Sequence, residues 1–362
     1  MKVGIVGAGW YGCHIGLALA GLGFEVKIFD RNPRVLEGAS GNNQFRLHLG
    51  FHYARHHGTR VQSRDGFQRF IERYGDLSAE VVDNIYAVPR NASLLDFQTY
   101  KMIMAASGIP FEEQSQSVEY LKDVDGSLRV GERVILLERA RKFFTDRLSG
   151  VLSLGGEVQH IEDFTDYAAI DGERFDYVVD ATWGHQRPLP IEVYFEPTIL
   201  LYYNKKRDFP AITLVDGPLC SIYPTEDPQI VTLSSVPHTP LGRFAGSGEA
   251  REALARVNSQ TVADRREKME EQVSRNVVGF SDCFDFAGIQ LGIKTKPIGA
   301  VDDRSCCVYK QGAVFSVMSG KIDTIFFATE RILSMIESDR SSPLPAEPHV
   351  FRKNVIEVSP AS

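Results

Sequence analysis

The alternation of hydrophobic and polar residues at the N-terminus predicts one βαβ unit. Residues 2–6, Lys-Val-Gly-Ile-Val, are typical of a short buried strand, because β-branched residues flank a glycine and a glycine-rich turn follows. From Tyr11 to Leu22, small and apolar residues recur at helical spacing, which predicts a helix packed closely on a sheet. Residues 24–29 alternate as a second strand that stops at Asp30.

Later segments fall into two kinds. A helical pattern over 137–154, an extended segment over 157–161 and a short apolar strand over 177–180 resemble further elements of a parallel sheet. The runs that follow are broken by proline, glycine and aspartate, which predicts a second, mostly antiparallel sheet. These runs are 192–201, 211–215, 219–223 and 229–236. The charged amphipathic stretch 249–278 is predicted to be helical and to cover that sheet.

The composition is that of an ordinary globular protein. The chain has 362 residues, of which 43% are hydrophobic and 24% are charged. At roughly 100 to 200 residues per domain, this length predicts two lobes or one large elaborated domain. The 40 Lys and Arg residues are outnumbered by 47 Asp and Glu residues, and no basic block is present. A general role in nucleic-acid binding is therefore not expected, because it needs a local basic excess.

The apolar runs and the cysteines indicate a cytoplasmic protein. No apolar run reaches the roughly 20 residues that a membrane span needs, and the first strand begins at Lys2 with no secretory signal before it. The five cysteines form no CxxC pair, and their odd number argues against a disulfide framework. Reduced thiols and a cytoplasmic location are the expectation.

The strongest chemical signal is the run Gly7-Ala8-Gly9-Trp10-Tyr11-Gly12. Gly7 permits a tight turn out of the strand, Gly9 lets the backbone approach a pyrophosphate, and Gly12 allows close helix packing. The helix N-terminus then offers free N–H groups to the phosphates. Asp30 follows Gly9 by 21 positions, where a carboxylate can accept hydrogen bonds from ribose. The alternative is a glycine-rich turn without a ligand, and the fingerprint by itself serves NAD and FAD equally.

A longer pattern, GxGxxGxxxGxxLxxxGxxVxxxD, is similar to the N-terminal signature of FAD-binding oxidoreductases. It is followed by Ala-Ser-Gly-Asn-Asn at 39–43 and by Arg-Leu-His-Leu-Gly-Phe-His-Tyr at 46–53. At these residues the chain resembles the D-amino-acid oxidase-like flavoprotein family, which includes glycine, sarcosine and other amine oxidases and some 2-hydroxy acid dehydrogenases. The resemblance covers residues 3–53, 155–184 and about 290–333.

The resemblance implies an α/β fold in which an FAD-binding, Rossmann-like domain of the GR2 type carries an inserted antiparallel-sheet substrate domain. The implied FAD-binding domain is discontinuous and comprises 1–85, 140–190 and 285–340. The substrate domain would comprise 86–139 and 191–284. Residues 341–362, rich in serine and proline, would form a C-terminal tail.

Besides the glycine loop and the end of the second strand, the resemblance implies FAD contacts in three further parts of the chain: the 40–43 segment, the middle of the chain, and the loop before the helix that starts near Ile325. The expected contact residues are Gly7, Ala8, Gly9, Trp10, Tyr11, Gly12, Asp30, Arg31, Ser40, Gly41, Asn42, Asn43, Val158, Ala181, Thr182, Gly184, Gly320, Lys321, Ile322, Asp323 and Thr324. The large residues 44–46 depart from the small ones of many family members, which leaves the substrate class open.

Cationic and aromatic residues are candidates for binding a carboxylate substrate. Arg46 is nearest to the segment that contacts flavin, and Arg304 and Lys294 precede the C-terminal loop. A guanidinium pairs with a carboxylate through two hydrogen bonds, although each of these cations is also explained as a surface or structural residue. Lys321 is a candidate for stabilising the reduced ring or activating oxygen, or it is a solvated loop residue. Tyr223 lies on a predicted strand and either roofs the substrate cavity or belongs to the core.

His48 and His52 are the candidates for proton transfer. They are expected on one face of a strand or extended segment near the flavin, where an imidazole can act as a base or polarise the ring. A structural role is the alternative. Metal binding is not expected, because no acidic residue stands among the histidines before Asp65. His48, Cys306 and Cys307 are candidates by position alone for covalent attachment of FAD, which the sequence leaves open.

The predicted reaction is dehydrogenation of a C–N bond in a small amine or amino acid, with imine hydrolysis and reoxidation by O2 or another electron acceptor. The first alternative is oxidation of a hydroxyl-bearing carbon, because residues 48–53 are also similar to 2-hydroxy acid dehydrogenases. A nicotinamide cofactor is disfavoured, because the segment 319–324 has no place in a simple NAD domain. The remaining alternative is an FAD-binding module without turnover.

Overall fold

The computed structural model of the chain describes residues 1–114, 118–299 and 303–340. The strands are β1 (Lys2–Val6), β2 (Glu25–Asp30), β3 (Arg46–Leu47), β4 (Ser78–Glu80), β5 (Asn84–Pro89), β6 (Phe111–Glu113), β7 (Val124–Val130), β8 (Arg133–Ile135), β9 (Leu152–Leu154), β10 (Ile161–Asp163), β11 (Ala168–Ile170), β12 (Glu173–Phe175), β13 (Tyr177–Asp180), β14 (Val193–Lys205), β15 (Ala211–Leu214), β16 (Cys220–Pro224), β17 (Ile230–Ser235), β18 (Phe284–Pro297), β19 (Cys307–Gln311) and β20 (Val314–Met318).

The helices are α1 (Trp10–Gly21), α2 (His57–Tyr74), α3 (Phe97–Ala106), α4 (Leu137–Leu148), α5 (Ser247–Ala255), α6 (Ser259–Ser274), α7 (Phe280–Cys283) and α8 (Ile325–Arg340). Short 3-10 helices span Gly75–Leu77 and Ile322–Thr324. No helix among the described residues combines the length and the apolar character that a membrane crossing requires.

A six-stranded sheet forms the first layer, in the order β19-β20-β13-β1-β2-β9. All neighbours in it are parallel except β19 and β20. Helix α1 lies close on this sheet because its glycines leave room. A Cβ on Gly12 would overlap the carbonyl oxygen of Gly7, and one on Gly16 would press on the side chain of Ile28. The N-terminal βαβ unit is therefore confirmed.

An eight-stranded sheet forms the second layer, in the order β18-β14-β17-β16-β15-β5-β7-β6. Its pairs are antiparallel except β15 with β5. Strands β14 and β18 are the longest and pair over their whole length, with an irregularity after Tyr202. Two three-stranded sheets complete the fold, β10-β11-β12 and β3-β8-β4. The mixed α/β fold expected from the sequence is confirmed.

The predicted domain division stays a prediction. Strand β18 lies almost wholly within the segment 285–340 assigned to the FAD-binding domain, and β5 begins at Asn84, yet both strands pair in the eight-stranded sheet. The proposed tail 341–362 lies outside the described residues.

Several element predictions need correction. The alternation over 47–52 predicted a strand or an extended segment, but the strand here is limited to Arg46–Leu47, because Phe45 (φ 56°) and Gly50 (φ 116°) turn the chain on either side. The helix expected over 137–154 ends at Leu148, and 152–154 is β9. The helix expected over 249–278 is two helices, because the Asn258 side chain caps a new start by accepting from the Thr261 N–H.

Candidate cofactor site and active site

The glycine loop leaves an open helix N-terminus at the edge of the six-stranded sheet. Gly7 has φ 104°, in the region that favours glycine, and a Cβ on Gly9 would lie 2.8 Å from the Ser40 Oγ. Gly9 is the N-cap and offers no side-chain acceptor, and the first turn contains no acidic residue. Partial positive charge from the helix dipole therefore remains available to an anion.

Asp30 and Arg31 lie at the end of β2 beside this loop. One carboxylate oxygen of Asp30 accepts from the Ala8 N–H at 2.6 Å, and the other accepts from the N–H and Nδ2 of Asn32 at 2.8 and 2.9 Å. The carboxylate thus holds the glycine loop against the strand end. Arg31 is exposed, with Nη1 3.6 Å from a carboxylate oxygen of Glu157. Ribose binding by Asp30 stays a prediction.

Residues 40–43 form a compact loop beside α1. The Ser40 Oγ accepts from the Trp10 N–H at 3.1 Å. The Asn42 and Asn43 side chains donate to backbone carbonyls of residues 37–40 at 2.7–3.0 Å, so they shape the loop itself. The Gly41 carbonyl accepts from Gln290 Nε2 at 3.1 Å, which joins the loop to β18. The amide nitrogens of Asn42 and Asn43 are therefore engaged within the loop, while the Ser40 hydroxyl still has its proton to donate.

The first turn of α1 also anchors the C-terminal loop. The Tyr11 hydroxyl donates to the Lys321 carbonyl at 2.6 Å and pairs with the Thr324 Oγ1 at 2.7 Å. Trp183 packs edge-on against Tyr11, with ring centroids 5.2 Å apart, and donates from Nε1 to the Ser319 carbonyl at 2.6 Å. Three segments that are far apart in sequence therefore meet at the N-terminus of α1.

The other expected FAD contacts lie around these segments. Ala181 is buried, the Thr182 Oγ1 contacts Asp180 Oδ1 at 2.5 Å, and Gly184 has φ 76°. The buried Val158 presents its carbonyl to Gln186 Nε2 at 2.6 Å. A Cβ on Gly320 would lie 2.8 Å from the Arg304 Cδ. Residues 322–324 form the 3-10 helix before α8.

Trp10 differs from the other members of the glycine loop. Its side chain is buried and packs against the rings of Phe70, Tyr74 and Phe144, with centroids 5.2–6.3 Å apart. The side chain is therefore part of the core, and only the backbone of Trp10 faces the loop. Together, the glycine cradle, the open helix N-terminus and the anchored C-terminal loop fit an extended adenine dinucleotide such as FAD.

His48 and His52 lie together in the loop between β3 and α2. Their rings are edge-on, with centroids 4.7 Å apart. Burial lowers the pKa of both imidazoles well below the usual range, and the charges of Lys321 and Arg46 lower it further. Both rings are therefore neutral at physiological pH. Strand geometry does not bring them together as expected; a turn at Gly50 does.

A buried hydrogen-bond network lies beneath the two histidines. The Tyr86 hydroxyl is 2.6 Å from His52 Nδ1 and 2.7 Å from the Glu132 Oε2. The other Glu132 oxygen accepts from the Leu49 N–H at 2.9 Å and lies 3.8 Å from His48 Nδ1. Hydrogen bonds thus connect His52 to Glu132 through Tyr86, and His48 faces the same carboxylate without a hydrogen bond to it.

Arg46 and Tyr223 lie below the site. The Arg46 side chain is 1% exposed and donates to Tyr86, Thr213 and Ser221 at 2.6–2.8 Å. Its guanidinium stacks 3.7 Å from the centroid of the Tyr223 ring, and the Tyr223 hydroxyl donates to a backbone carbonyl at 3.1 Å. The geometry therefore favours a positioning role for Arg46 and a core role for Tyr223. Their expected substrate contacts stay predictions.

Three other cations, Lys294, Arg304 and Lys321, are called the cationic cluster. The charges of Lys321 and Lys294 act on His48, and the charge of Arg304 acts on both of these lysines. Desolvation lowers the pKa of Lys294 to about 8, with a further contribution from Lys296, although Lys294 is exposed on β18. Burial also lowers the pKa of Lys321, whose Nζ lies 4.7 Å from the centroid of the Tyr53 ring. The positive charges of neighbouring cations repel one another, and an anionic ligand between them would relieve this repulsion. The cluster therefore favours an anionic ligand.

Glu132 and Tyr86 are functional candidates that the sequence did not reveal. Tyr86 lies in the apolar run of β5, where an aromatic residue normally signals core, and Glu132 stands in a turn, 84 positions from His48. His48, His52 and Glu132 offer donor atoms within 4.8 Å of one another. An acidic ligand therefore does exist, but it comes from a distant segment. Its oxygens already bind Leu49, Tyr86 and Arg46, so we assign no metal.

The cysteines considered for FAD attachment differ in environment. Cys306 is buried, and burial raises the pKa of its thiol to about 12, which makes the nucleophilic thiolate rare. Cys307 begins β19 and is partly exposed. Covalent attachment stays an open prediction.

Comparisons with known proteins identify the family of this chain. Residues 2–171 match the family model for DAO-type FAD-dependent oxidoreductases. The chain is 57% identical over 338 residues to the FAD-dependent monooxygenase FPY4 of Fusarium mangiferae, covering 93% of this chain and 92% of that protein.

Solved structures share the fold at low sequence identity. Glycine oxidase from Geobacillus kaustophilus aligns with a TM-score of 0.69 and 15% identity, over 93% of this chain and 95% of that chain. The FAD-bound L-α-glycerophosphate oxidase from Mycoplasma pneumoniae aligns with a TM-score of 0.71 and 11% identity, over 93% and 94%. The family model and the identity to FPY4, together with the glycine cradle described above, show that this chain belongs to the D-amino-acid oxidase-like family of FAD-dependent oxidoreductases, and that it is an enzyme.

Proposed function

We propose that this enzyme oxidises a small organic anion that carries a hydroxyl group on the carbon that gives up hydride. The observation that carries the proposal is the pair of neutral imidazoles, His48 and His52, beside the cationic cluster. When bound, FAD supplies the hydride acceptor. Loss of hydride from a carbinol carbon requires a base for the hydroxyl proton, and a neutral imidazole is suited to this task.

The residues of the chain divide the work in this proposal. Lys294, Arg304 and Lys321 bind the anionic group and orient the substrate. Neither imidazole Nε2 atom has a hydrogen-bond partner within the described parts of the chain, and neither is among the buried unpaired atoms. These atoms therefore face solvent and are free to accept the hydroxyl proton.

Dehydrogenation of a C–N bond stays a prediction that the site supports less well. An ammonium substrate would approach a region with three nearby cations, and like charges repel. A free amine also needs no base to release hydride. The reoxidant in either case is proposed to be O2, and a cytoplasmic location remains part of the proposal.

A second candidate function is insertion of an oxygen atom into the substrate. The observation that favours it is the 57% identity to a protein named as a monooxygenase. The cationic cluster is compatible with this alternative too, because it would stabilise an electron-rich enolate or phenolate.

Anaerobic spectroscopy of the FAD-loaded enzyme distinguishes these functions. A panel of hydroxy acids, amino acids, amines and NADPH is mixed with the enzyme, and the loss of the oxidised flavin absorbance is followed. We expect hydroxy acids to bleach the flavin without NADPH. Bleaching by NADPH alone, with labelled oxygen from the gas appearing in an organic product, would establish the second function, and bleaching by amines alone would establish C–N dehydrogenation.

A further inference from the structure

The direction of each hydrogen bond around Tyr86 follows from the partners. Arg46 Nη1 lies 2.7 Å from the Tyr86 oxygen, and a guanidinium can only donate. The Glu132 Oε2 lies 2.7 Å away on another side and accepts the single hydroxyl proton of Tyr86. His52 Nδ1 is the third partner, at 2.6 Å. Since the hydroxyl proton is already used, His52 Nδ1 must carry a proton and donate it.

This assignment determines the chemistry of His52. A neutral imidazole carries one proton, so an Nδ1–H leaves Nε2 as a lone-pair acceptor. Burial keeps His52 neutral at physiological pH. The same carboxylate faces His48, whose buried Nδ1 lies 3.8 Å from the Glu132 Oε1. Glu132 therefore lies on the Nδ1 side of both rings.

We propose that Glu132, acting through the Tyr86 hydroxyl, is a positioning residue that holds His52 in the Nδ1–H form and leaves Nε2 free to accept a proton. Arg46 completes the arrangement, because its guanidinium balances the buried carboxylate and donates to the Tyr86 oxygen. The catalytic meaning of this arrangement rests on the proposed function, whereas the position of the proton on His52 does not.

The proton position is measured directly by NMR on the FAD-loaded enzyme labelled with 15N-histidine. Two-bond 1H–15N correlations distinguish a protonated from an unprotonated ring nitrogen, and the His52 signals are assigned by their loss in His52→Gln. We expect the protonated nitrogen of His52 to be Nδ1 in the wild-type enzyme at pH 7.5. A proton on Nε2 would overturn the proposal.

Two variants test which residue imposes this form. Tyr86→Phe removes the oxygen that accepts from Nδ1, so His52 is expected to shift to the Nε2–H form. Glu132→Gln frees the Tyr86 hydroxyl to donate to His52, so the Nε2–H form is expected to become populated. If His52 keeps its wild-type form in Glu132→Gln, Glu132 is not the positioning residue. If Tyr86→Phe does not fold, the wild-type spectrum and Glu132→Gln still decide.

Tyr100→Phe is the matched control. Tyr100 is also a buried tyrosine, and its hydroxyl donates to the Phe51 carbonyl at 2.8 Å rather than to His52. Loss of this hydroxyl should leave the His52 spectrum unchanged. A shift of the His52 signals in this variant would count against the proposal, because loss of any nearby buried hydroxyl would then explain the change of protonated nitrogen. Flavin bleaching at the wild-type rate in both His48→Asn and His52→Asn would refute the proposed function while leaving the NMR result intact, so the two failures are distinguishable.

Discussion

At the scale of single residues, the site combines neutral bases with two lysines, Lys294 and Lys321, whose pKa values are lowered. The cause is the same for both, since a protein environment with little water penalises the protonated form of lysine and of histidine. This combination keeps His48 and His52 unprotonated while leaving Lys294 charged over most of the physiological range.

The Lys294 pKa of about 8 predicts pH-dependent anion binding. Lysine is charged below its pKa, so affinity should be highest below pH 8 and should fall, by at most about tenfold per pH unit, as the pH rises above it. Titration with benzoate, followed through the flavin absorbance of the FAD-loaded enzyme, measures this. Lys294→Gln should weaken benzoate binding and make its affinity less dependent on pH. Lys142 is an exposed lysine of α4, and Lys142→Gln is the control. An affinity unchanged between pH 7 and 9.5 in the wild-type enzyme would contradict the role of Lys294.

At the scale of elements, the glycines of α1 set how close the cofactor-binding helix lies to its sheet. Gly12→Ala would place a methyl group on the carbonyl oxygen of Gly7, which is backbone and has no room to move. We expect this variant to lose FAD during purification. Gly21→Ala, at the end of the same helix, meets nothing within 4 Å and should be neutral or more stable by up to about 1 kcal/mol. The ratio of flavin to protein absorbance measures how much FAD each variant retains. Equal retention of FAD in Gly12→Ala and Gly21→Ala would contradict the packing argument.

The Tyr11 hydroxyl connects α1 to the loop before α8. Tyr11→Phe removes the hydrogen bonds to the Lys321 carbonyl and to Thr324. We expect the free energy of unfolding to fall by about 1–3 kcal/mol and FAD affinity to weaken. Tyr203 lies on β14 of the second sheet and donates to Glu270 of α6. Tyr203→Phe, which loses this hydrogen bond, is the control and should lower stability without changing FAD affinity. Chemical denaturation and FAD titration separate the two effects; the same loss of FAD affinity in both variants would show that the Tyr11 contact has no special role.

The sequence revealed the elements whose signals are local. The strand, glycine turn and helix of the N-terminal unit follow from residue spacing within 30 positions, and so they were predicted nearly to the residue. The strand expected through His48 was wrong because the positive φ angles of Phe45 and Gly50 leave no trace in the hydrophobic pattern. Glu132 and Tyr86 could not be found, because their role depends on contacts between β5, the turn before β8 and the loop after β3.

At the scale of the whole molecule, the site is assembled from segments spread along nearly the full chain. The N-terminus of α1, the turn after β13 and the loop before α8 meet around Tyr11, while β18 of the second sheet reaches the 40–43 loop through Gln290. Cofactor binding should therefore stabilise both layers together.

Removal of FAD is predicted to lower the stability of the whole protein. A ligand present at 100 times its dissociation constant stabilises the folded state by about 2.7 kcal/mol. We expect the apo form, prepared by dialysis against a flavin-releasing chaotrope, to unfold at lower denaturant concentration and to recover when FAD is added back. Gly12→Ala should show no recovery. A wild-type apo form as stable as the holo form would show that the separated segments assemble independently of FAD.

The central claim is that the histidine pair accepts a proton as a hydroxyl-bearing anion gives up hydride, and rapid mixing under anaerobic conditions tests it most directly. The rate of flavin bleaching is measured with hydroxy acids in the wild-type enzyme, in His48→Asn and His52→Asn, and in the exposed His160→Asn as control. General base catalysis contributes about 10²–10⁴-fold, so we predict a loss of at least about 100-fold in one or both site variants and none in the control. Wild-type rates in both site variants would contradict the account.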